Sequence, residues 1–202
     1  MRTLAAASLS LLATAAQAVP AQDDHYLPLT KSAIVALAAQ QLQSTTLKAE
    51  PMTLPPAQRS GLAPDETVWR INAAPLPVAI FLAGQGENID ALHVYFPVVN
   101  GHDDQDARVF AMLSALFKAI YPGWPDAGAW PRASMDTTWN TSLLVTRHMP
   151  ANLDDLIARK TIDGITSATV GVPPDLVVYS ITTREPCIPD VRRSNPFQRV
   201  VC

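Results

Sequence analysis

Positive charge, cysteine and long apolar runs are scarce in this chain, and each shortage excludes a class of protein. Lysine and arginine contribute 15 of 202 residues against 18 acidic residues, so the chain lacks the basic footprint of nucleic-acid binding and a polybasic face for anionic lipid. Its two cysteines come with no third or fourth ligand for zinc. After the N-terminal region no segment reaches the roughly 20 apolar residues that a membrane span requires. We therefore expect no nucleic-acid partner and no transmembrane segment in the mature chain.

Motifs of catalysis and cofactor binding are missing as well. There is no G-x-S-x-G elbow, and Gly84-x-Gly86 lacks the third glycine of a dinucleotide fingerprint, so it predicts a hairpin turn. The densest polar cluster, 102–106, contains one histidine and three aspartates, but its spacing matches neither an EF-hand nor H-E-x-x-H. Acidic residues of this kind stabilise the positive end of a helix. We expect a helix start there, and neither a metal nor a cofactor.

The N-terminus has the pattern of an export signal. Met1-Arg2 is followed by an uncharged run rich in alanine and leucine, and Ala16-Gln17-Ala18 has the small-x-small form that signal peptidase cleaves. We expect residues 1–18 to be removed and the mature protein to be periplasmic or secreted. Loss of Arg2 takes the 15 basic residues to 14 against 18 acidic ones, a formal net charge of −4.

Export bears directly on the two cysteines. Cys187 and Cys202 lie close together near the C-terminus, and an oxidising compartment favours their pairing. A disulfide between them would close a loop rich in proline, with a chain-entropy contribution of about 3 kcal/mol. An intermolecular bond and two free thiols remain the alternatives.

Proline marks the boundaries within the chain. With 18 prolines and 48% hydrophobic residues, the mature sequence has enough apolar content for one folded domain divided into short elements. We expect a leader, a short helix capped by Thr30 and a proline-rich connection over 19–66. A single domain follows over 67–202 and includes the disulfide-closed loop.

Hydrophobic periodicity gives the elements of that domain. Alternating or continuous apolar runs predict three strands, and apolar residues at helical spacing predict one strong amphipathic helix over 106–121. We expect a loop with a short helix at 124–140, a strand at 143–146 and another short helix at 153–160. A second hairpin over 165–172 and 176–183 follows, with an edge strand near 197–201. The predicted class is α+β: a mainly antiparallel sheet of about five or six strands, in the order β-β-β-α-β-β, packed on one main helix.

Two groups of residues are candidate sites. Trp124, Trp130 and Trp139 are three of four tryptophans in a chain with 6% aromatic residues, and they could line a pocket for a ligand. Packing around the nearby prolines is the alternative. His93 and His148 are the histidines that a hydrolase without a recognisable motif could use.

The combination of export and missing catalytic motifs favours a non-enzymatic protein. We expect it to bind a protein partner or a small ligand through its sheet and its tryptophan-rich segment. A hydrolase with an unrecognised active site and a structural component of the cell envelope are the alternatives.

Overall fold

A computed structural model describes residues 25–55, 62, 65–74, 76, 78–97, 103–146, 157–172 and 176–183, with the backbone alone for 103–105, 139–146 and 172. Three helices and seven strands make up this part of the chain. In chain order they are α1 (Lys31–Leu42), β1 (Glu50–Pro51), β2 (Thr67–Asn72), β3 (Ala79–Gln85), β4 (Asn88–Pro97), α2 (Asp103–Ile120), α3 (Trp130–Thr146), β5 (Ile157–Ile162), β6 (Ile165–Val172) and β7 (Leu176–Thr182).

All seven strands form one antiparallel sheet in the order β1-β2-β3-β4-β7-β6-β5. Strand β7, the last one that the structure describes, lies between β4 and β6, so it joins the two halves of the sheet. This confirms the α+β class and the antiparallel sheet. The expected five or six strands and single main helix are too few, because β1, β5 and two further helices belong to the same fold.

The hairpin of β3 and β4 shows why two glycines occupy its turn. At Gly84, next to an irregularity in the ladder, a Cβ atom would lie 2.0 Å from the carbonyl oxygen of Asn88, so a side chain cannot fit. Gly86 has a φ of 59°, a conformation that glycine adopts without steric cost. The two glycines therefore serve the hairpin turn, as the sequence predicts.

Helix α1 is attached to this hairpin through its N-terminus. The Thr30 hydroxyl accepts a hydrogen bond from the Ala33 amide at 3.1 Å, which confirms the expected cap. The Glu87 carboxylate accepts another from the Ser32 amide at 2.9 Å and lies 3.1 Å from the Lys31 ammonium group. The Lys31 amide also donates a hydrogen bond to the Glu87 carbonyl at 2.9 Å. Three free N–H groups of the helix are thus satisfied, one by its own cap and two by the neighbouring hairpin.

This contact predicts a pH-dependent contribution to stability. The hydrogen bonds from Ser32 lower the pKa of the Glu87 carboxyl below its usual value, with the Lys31 ammonium group acting in the same direction. A carboxyl with a lowered folded-state pKa stabilises the fold above its unfolded-state pKa, and the stabilisation is lost as pH falls through the folded-state value. The cost of Glu87→Gln should therefore shrink from about pH 7 to about pH 3.

Urea unfolding at several pH values measures this difference. The effect will be small, below about 1 kcal/mol, because the Glu87 side chain is 49% exposed and solvent screens its charge. Asp65→Asn, at an exposed carboxylate outside this contact, is the matched control. A Glu87→Gln cost that does not change with pH would show that the carboxylate charge contributes nothing.

One face of the sheet carries the main core, and we call it the helix face. Helix α2 contributes Met112, Leu113, Leu116 and Phe117 to this core, all with no exposed surface. Full burial of a large apolar side chain stabilises a fold by about 1.5–3 kcal/mol, so this helix is a major part of the core, as its periodicity predicts. Ile34 of α1 belongs to the same cluster.

Helix α3 and strand β5 differ from the sequence expectation. The loop expected at the start of 124–140 is present over 124–129. The short helix and the strand at 143–146 are wrong, because 130–146 forms one continuous helix. The helix expected over 153–160 is wrong where the structure describes it, because β5 begins at Ile157. Pro131 lies in the first turn of α3, where a proline costs no helical hydrogen bond.

Hydroxyl groups explain why α3 lacks a clear apolar stripe. Ser134 and Thr138 are buried, and the Ser134 hydroxyl lies 2.8 Å from the Thr169 hydroxyl of β6. Tyr179 of β7 donates a hydrogen bond to the Pro131 carbonyl, also beneath this helix. The helix is therefore held to the sheet partly by polar contacts, which hydrophobic periodicity does not detect.

Candidate functional site

The sheet has a second face, opposite the helix face, and it is also largely buried. It is formed by alternate residues of five strands: Val68, Arg70, Ala79, Phe81, Ala83, Ala91, His93, Tyr95, Ala168, Val170, Leu176, Val178 and Ser180. Leu92, Val94 and Phe96 of β4 point to the helix face, as the alternation in the sequence predicts.

The proline-rich connection after α1 covers one end of the second face. Met52, Leu54 and Leu62 pack on a cluster formed by Val68, Ala83 and Ala91. The amide of Met52 also donates a hydrogen bond to the Val68 carbonyl at 2.8 Å, which continues the pairing begun by β1. This connection thus has a structural role at the edge of the sheet.

A cavity opens at the opposite end, where β2 and β4 finish and β3 and β7 begin. Its volume is about 550 Å³, within the range of about 300–1,000 Å³ typical of small-molecule sites. The described residues that line it are mostly apolar: Arg70, Asn72, Ala73, Ala74, Leu76, Val78, Ala79, Tyr95, Phe96, Pro97 and Leu176. Elements far apart in sequence supply this lining, so the antiparallel order of the strands creates the cavity.

Arg70 contributes the charge of the described lining, which contains no acidic residue. Its guanidinium carbon lies 5.9 Å from the centre of the Phe81 ring, its cross-strand neighbour on β3. Glu50 is directly opposite Arg70 on β1, but within the described part of the chain the two form no ion pair. Burial raises the pKa of Tyr95 far above neutrality, so its phenol stays uncharged. The described lining is therefore apolar with one permanent positive charge.

A buried histidine and serine lie beside this cavity. His93 Nδ1 is 2.9 Å from the Ser180 hydroxyl oxygen, across the β4–β7 ladder. The two belong to the same cross-strand row as Arg70 and Phe81. A histidine beside a serine is one element of nucleophilic catalysis, but His93 is 6% and Ser180 is 4% exposed. A substrate would reach Ser180 only after other groups moved away.

Trp124 and Trp130 lie on the other side of the sheet, packed among aromatic rings. The ring centre of Trp130 is 5.1 Å from that of Phe117 and 6.0 Å from that of Trp124, and Trp124 also contacts Tyr121. Both tryptophans are half-buried against the main core, and neither lines the 550 Å³ cavity. The side chain of Trp139 lies outside the described residues. Ligand binding at the three tryptophans stays a prediction.

Several other expectations fall on residues that the structure does not describe. The export signal at 1–18, His148 and both cysteines, Cys187 and Cys202, are among them, so cleavage and the disulfide stay predictions. Helix α2 begins at Asp103, and the acidic residues of the 102–106 cluster that lie in it occupy its first turn. Across the described residues, no set of three or more His, Cys, Asp or Glu side chains is placed to hold a metal.

Among the described residues, no helix combines the length and the apolar character that crossing a bilayer requires.

Sequence reasoning missed the cavity, because none of the site residues that it named lines it. A signal for Arg70 was present, because it is the one charged residue of β2 and stands between Trp69 and Ile71. Leu76, Phe96 and Leu176 gave no such signal, since apolar residues at strand ends are common.

Comparison of the chain with protein-family models, with curated proteins and with solved structures gave no significant match.

Proposed function

We propose that this chain is an exported, non-enzymatic protein that binds a small apolar molecule in the cavity at the end of its sheet. The observation that carries the proposal is the cavity itself: about 550 Å³, with mostly alkyl and aromatic lining. Transfer of apolar surface from water into such a site is favourable by roughly 25 cal/mol per Å². A small ligand that fills the cavity would gain from burying its own apolar surface and that of the lining.

The chemistry of the lining supports binding rather than catalysis. Proton transfer at neutral pH needs a group whose pKa lies near the working pH. Arg70 remains protonated, and the pKa of Tyr95 is raised by burial. The other described lining residues are Asn72 and apolar side chains. This set can orient a ligand, but it has no group poised to gain or lose a proton.

The proposed export explains how such a protein would be used. A periplasmic or secreted binding protein would hold an apolar molecule that is poorly soluble in the aqueous compartment. The proposal of a periplasmic or secreted location depends on the N-terminal pattern, Met1-Arg2 followed by an apolar run and Ala16-Gln17-Ala18. A disulfide between Cys187 and Cys202 is part of the same proposal.

Native mass spectrometry and calorimetry of the mature full-length chain with 1-decanol test the binding proposal. We expect one equivalent to bind. Absence of a bound species and of heat, for 1-decanol and for decanoate alike, would contradict it. Binding that saturates only at several equivalents would indicate unspecific association with exposed apolar surface, and it would also contradict the proposal.

A hydrolase is the second candidate, and one contact favours it: the 2.9 Å hydrogen bond between His93 and Ser180. A fluorophosphonate probe reacts covalently with an activated serine. Labelling of the native chain that is lost in Ser180→Ala would favour the hydrolase over the binding protein. Because Ser180 is 4% exposed, we expect no labelling.

A further inference from the structure

We propose that the ligand of this cavity is a monocarboxylate with an apolar tail, and that Arg70 binds its carboxylate. This inference rests on the proposed function and adds the chemical class of the ligand. It starts from the contrast in the lining: one permanent cation beside alkyl and aromatic side chains, with no acidic residue among the described lining residues.

Charge complementarity selects an anion. A charged group that enters an apolar site loses hydration, and this costs free energy unless an opposite charge compensates. Arg70 can compensate an anion and would repel a cation. Its planar guanidinium group matches the two oxygens of a carboxylate with two parallel hydrogen bonds, which a lysine ammonium group cannot reproduce.

The surroundings of Arg70 hold its head group near the cavity. The guanidinium carbon is 5.9 Å from the centre of the Phe81 ring, within the distance at which a cation and an aromatic face attract each other. Arg70 is exposed, so a carboxylate could bind it while remaining partly hydrated. Asn72, two residues further along the same face of β2, also lines the cavity and carries a side-chain amide donor.

Glu50 is the charge that competes with a ligand. It lies opposite Arg70 in the β1–β2 ladder and is exposed. The structure shows no ion pair between them among the described residues. A bound carboxylate would nevertheless feel its repulsion, so removal of this charge should strengthen binding of an anion.

The apolar tail would lie along the rest of the lining. Leu76 and Val78 lie just before β3, Phe96 is the last residue of β4 on the helix face, and Leu176 begins β7. These side chains carry no charge and differ in shape, so they favour a flexible alkyl or simple ring system over a polar ligand.

The test compares two probes of equal chain length, decanoate and 1-decanol, by calorimetry on the mature full-length chain. We expect decanoate to bind more tightly than 1-decanol, and Arg70→Gln to weaken decanoate by about tenfold or more, as loss of a charge-assisted hydrogen bond implies. Binding of 1-decanol should change by less than about twofold in the same variant. Glu50→Gln changes the local charge in the opposite sense, so it should strengthen decanoate and leave 1-decanol unchanged.

The outcomes separate this inference from the proposed function. If neither probe binds, both are wrong. If the two probes bind equally and Arg70→Gln changes neither, the cavity binds apolar molecules and the carboxylate assignment is wrong. Should Arg70→Gln fail to fold, the preference of the unmodified chain decides: decanoate must be favoured, and added salt must reduce that preference by screening the charge.

Discussion

Replacing Phe117 by alanine should destabilise the fold by about 3–5 kcal/mol, the cost typical of removing a buried phenylalanine ring. Phe117 has no exposed surface and contacts both Tyr121, directly after α2, and Trp130, at the start of α3, with ring centres 5.9 and 5.1 Å away. The substitution therefore leaves a cavity where α2, α3 and the sheet meet. Urea unfolding measures the loss as a lower midpoint.

Arg108→Ala is the matched control for this prediction, because Arg108 is an exposed residue of the same helix. Its cost should stay within about 0.5 kcal/mol, as at most surface positions. A Phe117→Ala cost near that of the control would show that α2 is not the main support of the core. Such a result would contradict the architecture described above.

The second large effect is expected in ligand binding. Ala79 is a half-buried residue of β3 that lines the cavity beside Tyr95. In Ala79→Phe the added ring would occupy space that the ligand needs, so affinity for 1-decanol and decanoate should fall by at least about tenfold, or ~1.4 kcal/mol. Calorimetry with both probes measures this loss.

Ala158→Phe controls for the general effect of a new aromatic ring. Ala158 is a half-buried alanine of β5, an edge strand of the described sheet, and it lies on the helix face. Strands β6 and β7 separate β5 from β4. Its substitution should leave the affinity for both probes unchanged. If both variants lose affinity equally, the new ring affects the whole fold. If both variants keep the affinity of the unmodified chain, the ligand binds elsewhere.

Elements with one clearly apolar face were predictable from sequence. The four α2 residues with no exposed surface, which include Leu113 and Phe117, recur at helical spacing, and the strands of the β3–β4 and β6–β7 hairpins appear as apolar or β-branched runs on either side of turn residues. In each case burial of apolar side chains decides the structure, and their spacing or their short continuous run shows it in the sequence.

Elements held by polar contacts or lying at an edge were not predictable in the same way. Helix α3 faces β6 with hydroxyl groups such as that of Ser134, so its stripe does not appear as hydrophobic. Edge strand β5 exposes Arg159 and Lys160 and carries little alternation. One signal was overlooked: Asp163 and Gly164, with φ values of 50° and 78°, form the two-residue Asp-Gly connection typical of a hairpin.

The candidate site depends on strand order, which local sequence does not encode. The ends of β2 and β4 and the starts of β3 and β7 meet because β7 lies next to β4. Arg70 and Leu176 are far apart in sequence and line the same cavity. The tryptophan cluster was visible in the sequence because tryptophans are few, whereas the cavity is made of ordinary residues brought together by the sheet.

Chemical-shift mapping of the isotopically labelled mature chain during a decanoate titration tests the central claim most directly. The backbone signals of Arg70, Ala79, Tyr95 and Leu176 should shift together and saturate at one equivalent. Shifts confined to the region of Trp124 and Trp130, or no shifts at concentrations well above those used in calorimetry, would contradict binding at the end of the sheet.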